Sequence, residues 1–131
     1  MKLLLDTHIW IWAIGAPQRL SREVSRTLQN SSTQVWLSAI SLWELSILAN
    51  KGRVNLRMDV DEWISRAFNI LPVEEAAITN AVVRAANKFR LPTDDPADAF
   101  IAATASVFEL TLVTADEKLL AFKHISTLAN D

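Results

Sequence analysis

Four acidic residues stand where carboxylates can do chemistry together. Asp6 closes the apolar run Leu3-Leu4-Leu5, and Glu44 lies inside Ile40-Ser41-Leu42-Trp43-Glu44-Leu45-Ser46-Ile47-Leu48. Asp98 follows Asp95-Pro96-Ala97, and Asp116 follows Leu110-Thr111-Leu112-Val113-Thr114-Ala115. Carboxylates gathered at one place repel each other unless a cation neutralises them, and a divalent metal is the simplest remedy. The chain has no cysteine, and its two histidines, His8 and His124, are far apart. Disulfides, thiolate zinc sites and cysteine nucleophiles are thereby excluded. A metal held mainly by oxygen points to Mg²⁺ or Mn²⁺.

Each acid also has an ordinary structural reading. Asp6 and Asp116 serve equally well as helix N-caps. Asp95-Pro96-Ala97-Asp98 is a common helix start, with a cap, a proline at the first position and an acid at the third, and taken alone this reading is the stronger one. Glu44 differs. Its neighbours one turn away, Ile40, Ile47 and Leu48, are apolar, and no basic residue stands at 40, 41, 47 or 48. An unpaired carboxylate on a core-facing stripe is costly, so a metal or a tertiary partner is expected.

The elements that must position these acids follow from patterning. Residues 2–5, 34–37 and 110–114 read as short buried strands, with weaker strands expected near 70–73 and 125–128. Helices are expected over 7–14, from Ser21 to about 30, over 39–50 with Ser38 as N-cap and Gly52 as C-cap, and over 59–69. Further helices are expected over 74–90, stopping before Leu91-Pro92, and over about 96–109 and 116–122. This alternation predicts an α/β protein with a central parallel sheet of four to five short strands covered on both faces. Ligands of such sheets bind beyond the carboxyl ends of the strands, where Asp6 and Asp116 project if their strands are neighbours.

The length suits one domain, residues 1–131, and 50% hydrophobic residues can bury a sizeable core. No apolar run approaches the roughly 20 residues that cross a bilayer. The start reaches Asp6 too soon for a secretory signal, so no membrane association and a cytoplasmic location are expected. The formal charge of −2 does not suggest a generic nucleic-acid binder. If four of the 15 acids are neutralised on a metal, however, 13 basic residues face 11 acids, so the objection to a nucleic-acid substrate is weak.

Leu4-Leu5-Asp6-Thr7-His8-Ile9-Trp10, then Leu37-Ser38-Ala39-Ile40-Ser41-Leu42-Trp43-Glu44-Leu45, then Asp95-Pro96-Ala97-Asp98-Ala99-Phe100-Ile101-Ala102-Ala103-Thr104-Ala105, then Val113-Thr114-Ala115-Asp116 resemble the successive signatures of PIN-domain ribonucleases. They run in the right order from residue 3 to about 120, and their flavour is similar to the VapC toxins of type II toxin–antitoxin pairs. The resemblance implies a three-layer PIN-like fold. It implies that Asp6, Glu44, Asp98 and Asp116 gather in one pocket as metal ligands and catalytic residues around Mg²⁺ or Mn²⁺. Thr7 and Thr114 would assist by hydrogen bonding, and Asp95 would be an accessory acid or only the cap. The activity implied is endoribonucleolytic hydrolysis of RNA. The partners implied are a VapB-type antitoxin, whose C-terminal segment covers the site, and a second copy of the chain. Many relatives carry arginine directly after the acid matching Asp98; here it is Ala99, which weakens the expected grip on substrate and leaves the four acids intact.

Phosphate steering is expected from Lys51, Arg53, Arg57 and Lys118, although each also reads as a solvated surface cation. Of the five tryptophans most are expected in the core, and the remainder are available for an apolar partner patch. Two other functions compete. A degenerate PIN scaffold that binds RNA or protein without cutting gains slight support from Ala99. A receiver-like phosphoacceptor fits the length and alternation, but the middle of the chain offers Asn50-Lys51-Gly52-Arg53 in place of the acid and lysine arrangement that chemistry uses.

Overall fold

Three leucines in a row, each fully buried, need apolar partners on both faces of a strand. In the computed structural model, which describes residues 1–89 and 94–131, they are the centre of the sheet. β1 (Lys2–Leu5) pairs in parallel with β2 (Gln34–Ser38) on one side and β4 (Thr111–Thr114) on the other. β3 (Glu74–Ala76) and β5 (Ser126–Ala129) complete a five-stranded, wholly parallel sheet of order β3-β2-β1-β4-β5. Leu3 and Leu5 belong to one hydrophobic cluster and Leu4 to the other, as alternation across a pleat requires. Val113 and Leu112 divide in the same way.

The first cluster is closed by α1 (Thr7–Gly15), α2 (Arg22–Gln29), α3 (Ala39–Asn50) and α4 (Val60–Ile70), through Ile9, Trp10, Val24, Leu45, Trp63 and Ala67. The second is closed mainly by α6 (Pro96–Val107) and α7 (Glu117–Leu120), through Ile101, Ala102, Ala105 and Leu119. α5 (Asn80–Lys88) packs along α6. The three-layer α/β expectation is met, with five strands. Among the described residues no helix is long and apolar enough to cross a membrane.

One stretch departs from the sequence reading. The strand expected at 70–73 lies at Glu74–Ala76, where the sequence suggested the first turn of a long helix. Pairing with β2 (Trp36 with Glu74, Leu37 with Glu75, Ser38 with Ala76) overrides the helical preference of Glu-Glu-Ala-Ala. Helix α5 starts only where the Thr79 hydroxyl accepts from Val82 N at 3.2 Å. The expected stop before Leu91-Pro92 lies outside the described residues. Elsewhere the boundaries move by a residue or two, and α7 is shorter than 116–122. After α3, Gly52 takes a φ of 71° and donates to Ala49 O at 3.1 Å, the glycine termination expected there.

A long-range tie closes the fold beside the carboxyl end of β4. Asn130 N donates to Thr114 O at 2.9 Å, Asn130 Oδ1 accepts from Ser21 N at 2.6 Å, and Asn130 Nδ2 donates to Arg19 O at 3.1 Å. The side chain thus joins the end of the sheet to the 3₁₀ turn Pro17–Arg19 and to the start of α2. Asn130→Ala removes both side-chain bonds and is expected to lower the unfolding free energy by about 1–2 kcal/mol, read from urea denaturation at constant m.

Candidate active site

The sheet order determines where the acids meet. The chain runs outward through β1, β2 and β3, then returns to lay β4 against the other side of β1. The loops leaving β1 and β4 therefore diverge at the carboxyl ends of two neighbouring central strands, which opens a crevice there. Asp6 lies immediately past β1, and Asp6 N donates to Val113 O at 3.0 Å. Asp116 lies two residues past β4. Glu44 enters from the middle of α3, and Asp95 and Asp98 from the start of α6. All five acids, with His8, Trp12 and Ala115, line one pocket of about 280 Å³.

Several of these residues do structural and site work together. Asp6 caps α1 through Oδ1, which accepts from Thr7 N at 2.9 Å, while Oδ2 accepts from the Thr114 hydroxyl at 2.6 Å. Thr114 Oγ1 also accepts from Asp116 N at 3.0 Å, so one hydroxyl positions the segments carrying both acids. Asp116 Oδ1 accepts from Lys118 N at 2.8 Å, and Asp95 Oδ1 from Ala97 N at 2.9 Å; both acids are caps as well as pocket walls. Thr7 Oγ1 lies 2.9 Å from Ser41 Oγ, and its hydrogen bonding also favours the ionised form of Glu44.

The electrostatics are those of a site short of positive charge. Burial raises the Asp6 pKa above the ordinary carboxylate value, opposed by the bonds from Thr114 and Thr7. Burial also raises Glu44, and repulsion from Asp6 and Asp95 adds to it. Asp98 is pushed up to about 7, first by burial and then by repulsion from Asp95, Asp6, Asp116 and Glu44. A divalent cation removes that repulsion, and a donor set dominated by carboxylate oxygens suits a hard ion such as Mg²⁺ or Mn²⁺. Among the described residues no three of these side chains are already drawn together at ligating distance. The donor chemistry fits a hard divalent cation, which Asp6, Glu44, Asp98 and Asp116 would hold.

The sequence signature of the PIN domain family matches residues 3–126. This chain belongs to the PIN-domain family. The PIN domain is 35% identical over 125 residues to Ribonuclease VapC22 of Mycobacterium tuberculosis (strain ATCC 25618 / H37Rv), covering 93% of this chain and 92% of that protein. Its fold is shared with a chain of VapBC2 from Rickettsia felis, solved bound to a DNA fragment from their promoter, at a TM-score of 0.74, 19% identity and full coverage of both chains. DNA-bound VapBC from Salmonella typhimurium gives a TM-score of 0.72, also at 19% identity, with 98% of each chain covered. The family match displaces the receiver-like alternative.

In this PIN domain Asp6, Glu44, Asp98, Asp116 and Asp95 reach the pocket, and Thr7 and Thr114 lie buried behind it. Lys51, Arg53, Arg57 and Lys118 are exposed, and none of the four lines the pocket. Glu44 is half-buried at the pocket wall, where the apolar stripe around it meets the open crevice. The sequence reading named neither His8 nor Ser41 as a site residue, and took Trp12 only as one of the tryptophans near the acids in the chain. His8 and Trp12 lie one turn apart on the helix that starts at Asp6, a spacing that was available as a signal. Ser41 is placed by tertiary contact with Thr7. Trp10 and Trp63 fill the core, ring centroids 5.2 Å apart, whereas Trp43 is 55% exposed.

Proposed function

We propose that the protein is a divalent-metal-dependent endoribonuclease, the toxin of a VapBC-type toxin–antitoxin pair. The observation that carries the reading is the convergence of five carboxylates from four separate segments on one pocket beyond the sheet's carboxyl edge. Asp6 and Asp98 are the principal metal holders, and Glu44 and Asp116 complete the set. When bound, a divalent cation makes water a better nucleophile and offsets charge developing on the phosphoryl oxygens. The protein's own groups do the rest. Thr114 holds Asp6 and the Asp116 loop in register, Thr7 and Ser41 hold the Glu44 side of the pocket, and a carboxylate oxygen of Glu44 or Asp116 takes the proton of the attacking water. Lys51, Arg53, Arg57 and Lys118 act from outside the pocket, drawing the polyanion toward it at long range.

The VapBC relatives support a VapB-type antitoxin as the partner, and pairing of two copies of this chain belongs to the same proposal. The exposed Trp43 supplies apolar surface of the kind interfaces use. A non-cutting PIN scaffold is the alternative, and turnover decides between them. Purified protein is expected to cleave single-stranded RNA internally with Mg²⁺ or Mn²⁺ and to stop when the metal is chelated.

The Asp98 shift adds a pH signature. Below its ordinary value of 3.8 the group is protonated whether the chain is folded or unfolded. Between 3.8 and about 7 only the unfolded chain releases the proton, so metal-free stability falls as pH rises through that window, and the loss is complete above it. Cation binding needs the ionised form, so Mg²⁺ affinity rises with pH up to about 7 and then levels. Thermal melts with and without Mg²⁺ from pH 5 to 8 are expected to diverge as pH rises.

A further inference from the structure

An acidic pocket repels the phosphates it must receive, and the cations expected from the sequence do not line it. We propose that Trp12 and Arg19 form the wall that grips the RNA strand beside the acids, Trp12 by stacking and Arg19 by contact with a phosphate. In the same proposal Asn130 is the positioning residue that holds Arg19 there. The inference rests on the nuclease reading and names the substrate-contacting residues of that site.

Trp12 is half-buried and lines the acidic pocket together with His8, whose ring centroid lies 6.0 Å from that of Trp12. The Arg19 guanidinium carbon sits 4.1 Å from the centre of the Trp12 ring. Stacking on the indole fixes the guanidinium and leaves its N–H edge for other acceptors. Among the described residues Arg19 forms no salt bridge with a carboxylate. The turn beneath it is also tied down. Arg19 O accepts from Asn130 Nδ2, and Asn130 N donates to the carbonyl of Thr114, the residue whose hydroxyl holds Asp6. The cation and the catalytic acids are thus referenced to the same strand end. Single-stranded RNA exposes both the features this wall reads, an unstacked base for an aromatic ring and a phosphate for a guanidinium.

The ordinary alternative is a surface cation–π pair that only shields α1. Steady-state cleavage of a fluorescent single-stranded RNA by the Mg²⁺-loaded protein across a salt series separates the two. Arg19→Gln is expected to raise KM about tenfold with kcat within about threefold, and to flatten log(kcat/KM) against log[salt] by about 0.7 for one lost phosphate contact. Trp12→Ala is expected to raise KM similarly and leave the salt slope unchanged. Arg19→Lys keeps the slope and Trp12→Phe keeps most of the affinity, so these conservative variants carry the test if the larger changes fail to fold. Asn130→Ala shifts KM and slope in the direction of Arg19→Gln. Parental KM and salt slope in Arg19→Gln and Trp12→Ala overturn the inference, as does a loss confined to kcat. Retained RNA kinetics with lost binding of a protein partner overturns it too, because the wall is then a protein interface. A wild-type protein that does not cut RNA fells the nuclease reading and this inference with it; normal cutting with unaltered variants fells this inference alone.

Discussion

Asp98→Asn is expected to lower Mg²⁺-dependent RNA cleavage by on the order of a thousandfold while raising the melting temperature of the metal-free protein. Both effects come from one charge. Asp98 lines the pocket, and burial together with four neighbouring acids lifts its pKa to about 7. At pH 8 the parent carries that unfavourable charge and the amide variant does not, so the variant melts higher without metal. The gap shrinks as the pH is lowered toward 4, where the parent's carboxyl is protonated as well. With Mg²⁺ present the order reverses, because the parent gains from binding what the variant has lost. Asp6→Asn is expected to lose activity to a similar extent without the stability gain. Asp6 accepts at both oxygens, from Thr7 N and from the Thr114 hydroxyl, and an amide presents a donor to one of them. RNA turnover, together with melts in chelator at pH 8 and near pH 4, checks the set; undiminished metal-dependent turnover in Asp98→Asn would sink the assignment.

Thr114→Val is expected to reduce activity about 10–100-fold although the residue is fully buried behind the pocket. The hydroxyl donates to Asp6 Oδ2 at 2.6 Å and accepts from Asp116 N at 3.0 Å, so its loss frees both acid-bearing segments. It also leaves a buried carboxylate oxygen without its donor, at a cost of about 1–3 kcal/mol. Because this bond opposes the upward shift that burial imposes on Asp6, removing it drives the Asp6 pKa higher still. Mg²⁺ affinity near neutral pH therefore falls, and activity lost at pH 7 is partly recovered at higher pH or higher Mg²⁺. Thr114→Ser, which keeps the hydroxyl, is expected to retain most activity. If Thr114→Val binds Mg²⁺ and cuts RNA like the parent, the hydroxyl has no positioning role.

Much of the scaffold was legible because it is local. A run such as Leu3-Leu4-Leu5 buries on both faces wherever it lies in a parallel sheet, and β1 does so. Ser21, Ser38, Asp59 and Asp95 cap the helices that follow them, since capping needs only the next two or three backbone N–H groups. β3 was not legible. Glu74-Glu75-Ala76 has no strand pattern of its own and becomes a strand because the edge of β2 is open beside it. Capping and lining the pocket are compatible: Asp6, Asp95 and Asp116 are helix caps and also pocket residues, because one capping bond leaves a carboxylate with further lone pairs.

The sequence by itself determined that the Leu3-Leu4-Leu5 run is buried, where most helices begin, and that acids stand at strand ends, because these follow from side-chain chemistry within a few positions. Only the tertiary structure decided that Asp6 and Asp116 follow neighbouring strands, that Thr114 reaches Asp6 across 108 positions, and that Arg19 rather than the basic loop stands beside the pocket wall. Those relations come from the order in which strands pair and from bonds such as Asn130 to Arg19, 111 residues apart. Nothing in a local stretch of chain encodes such distances, since they are selected only when the whole sheet closes.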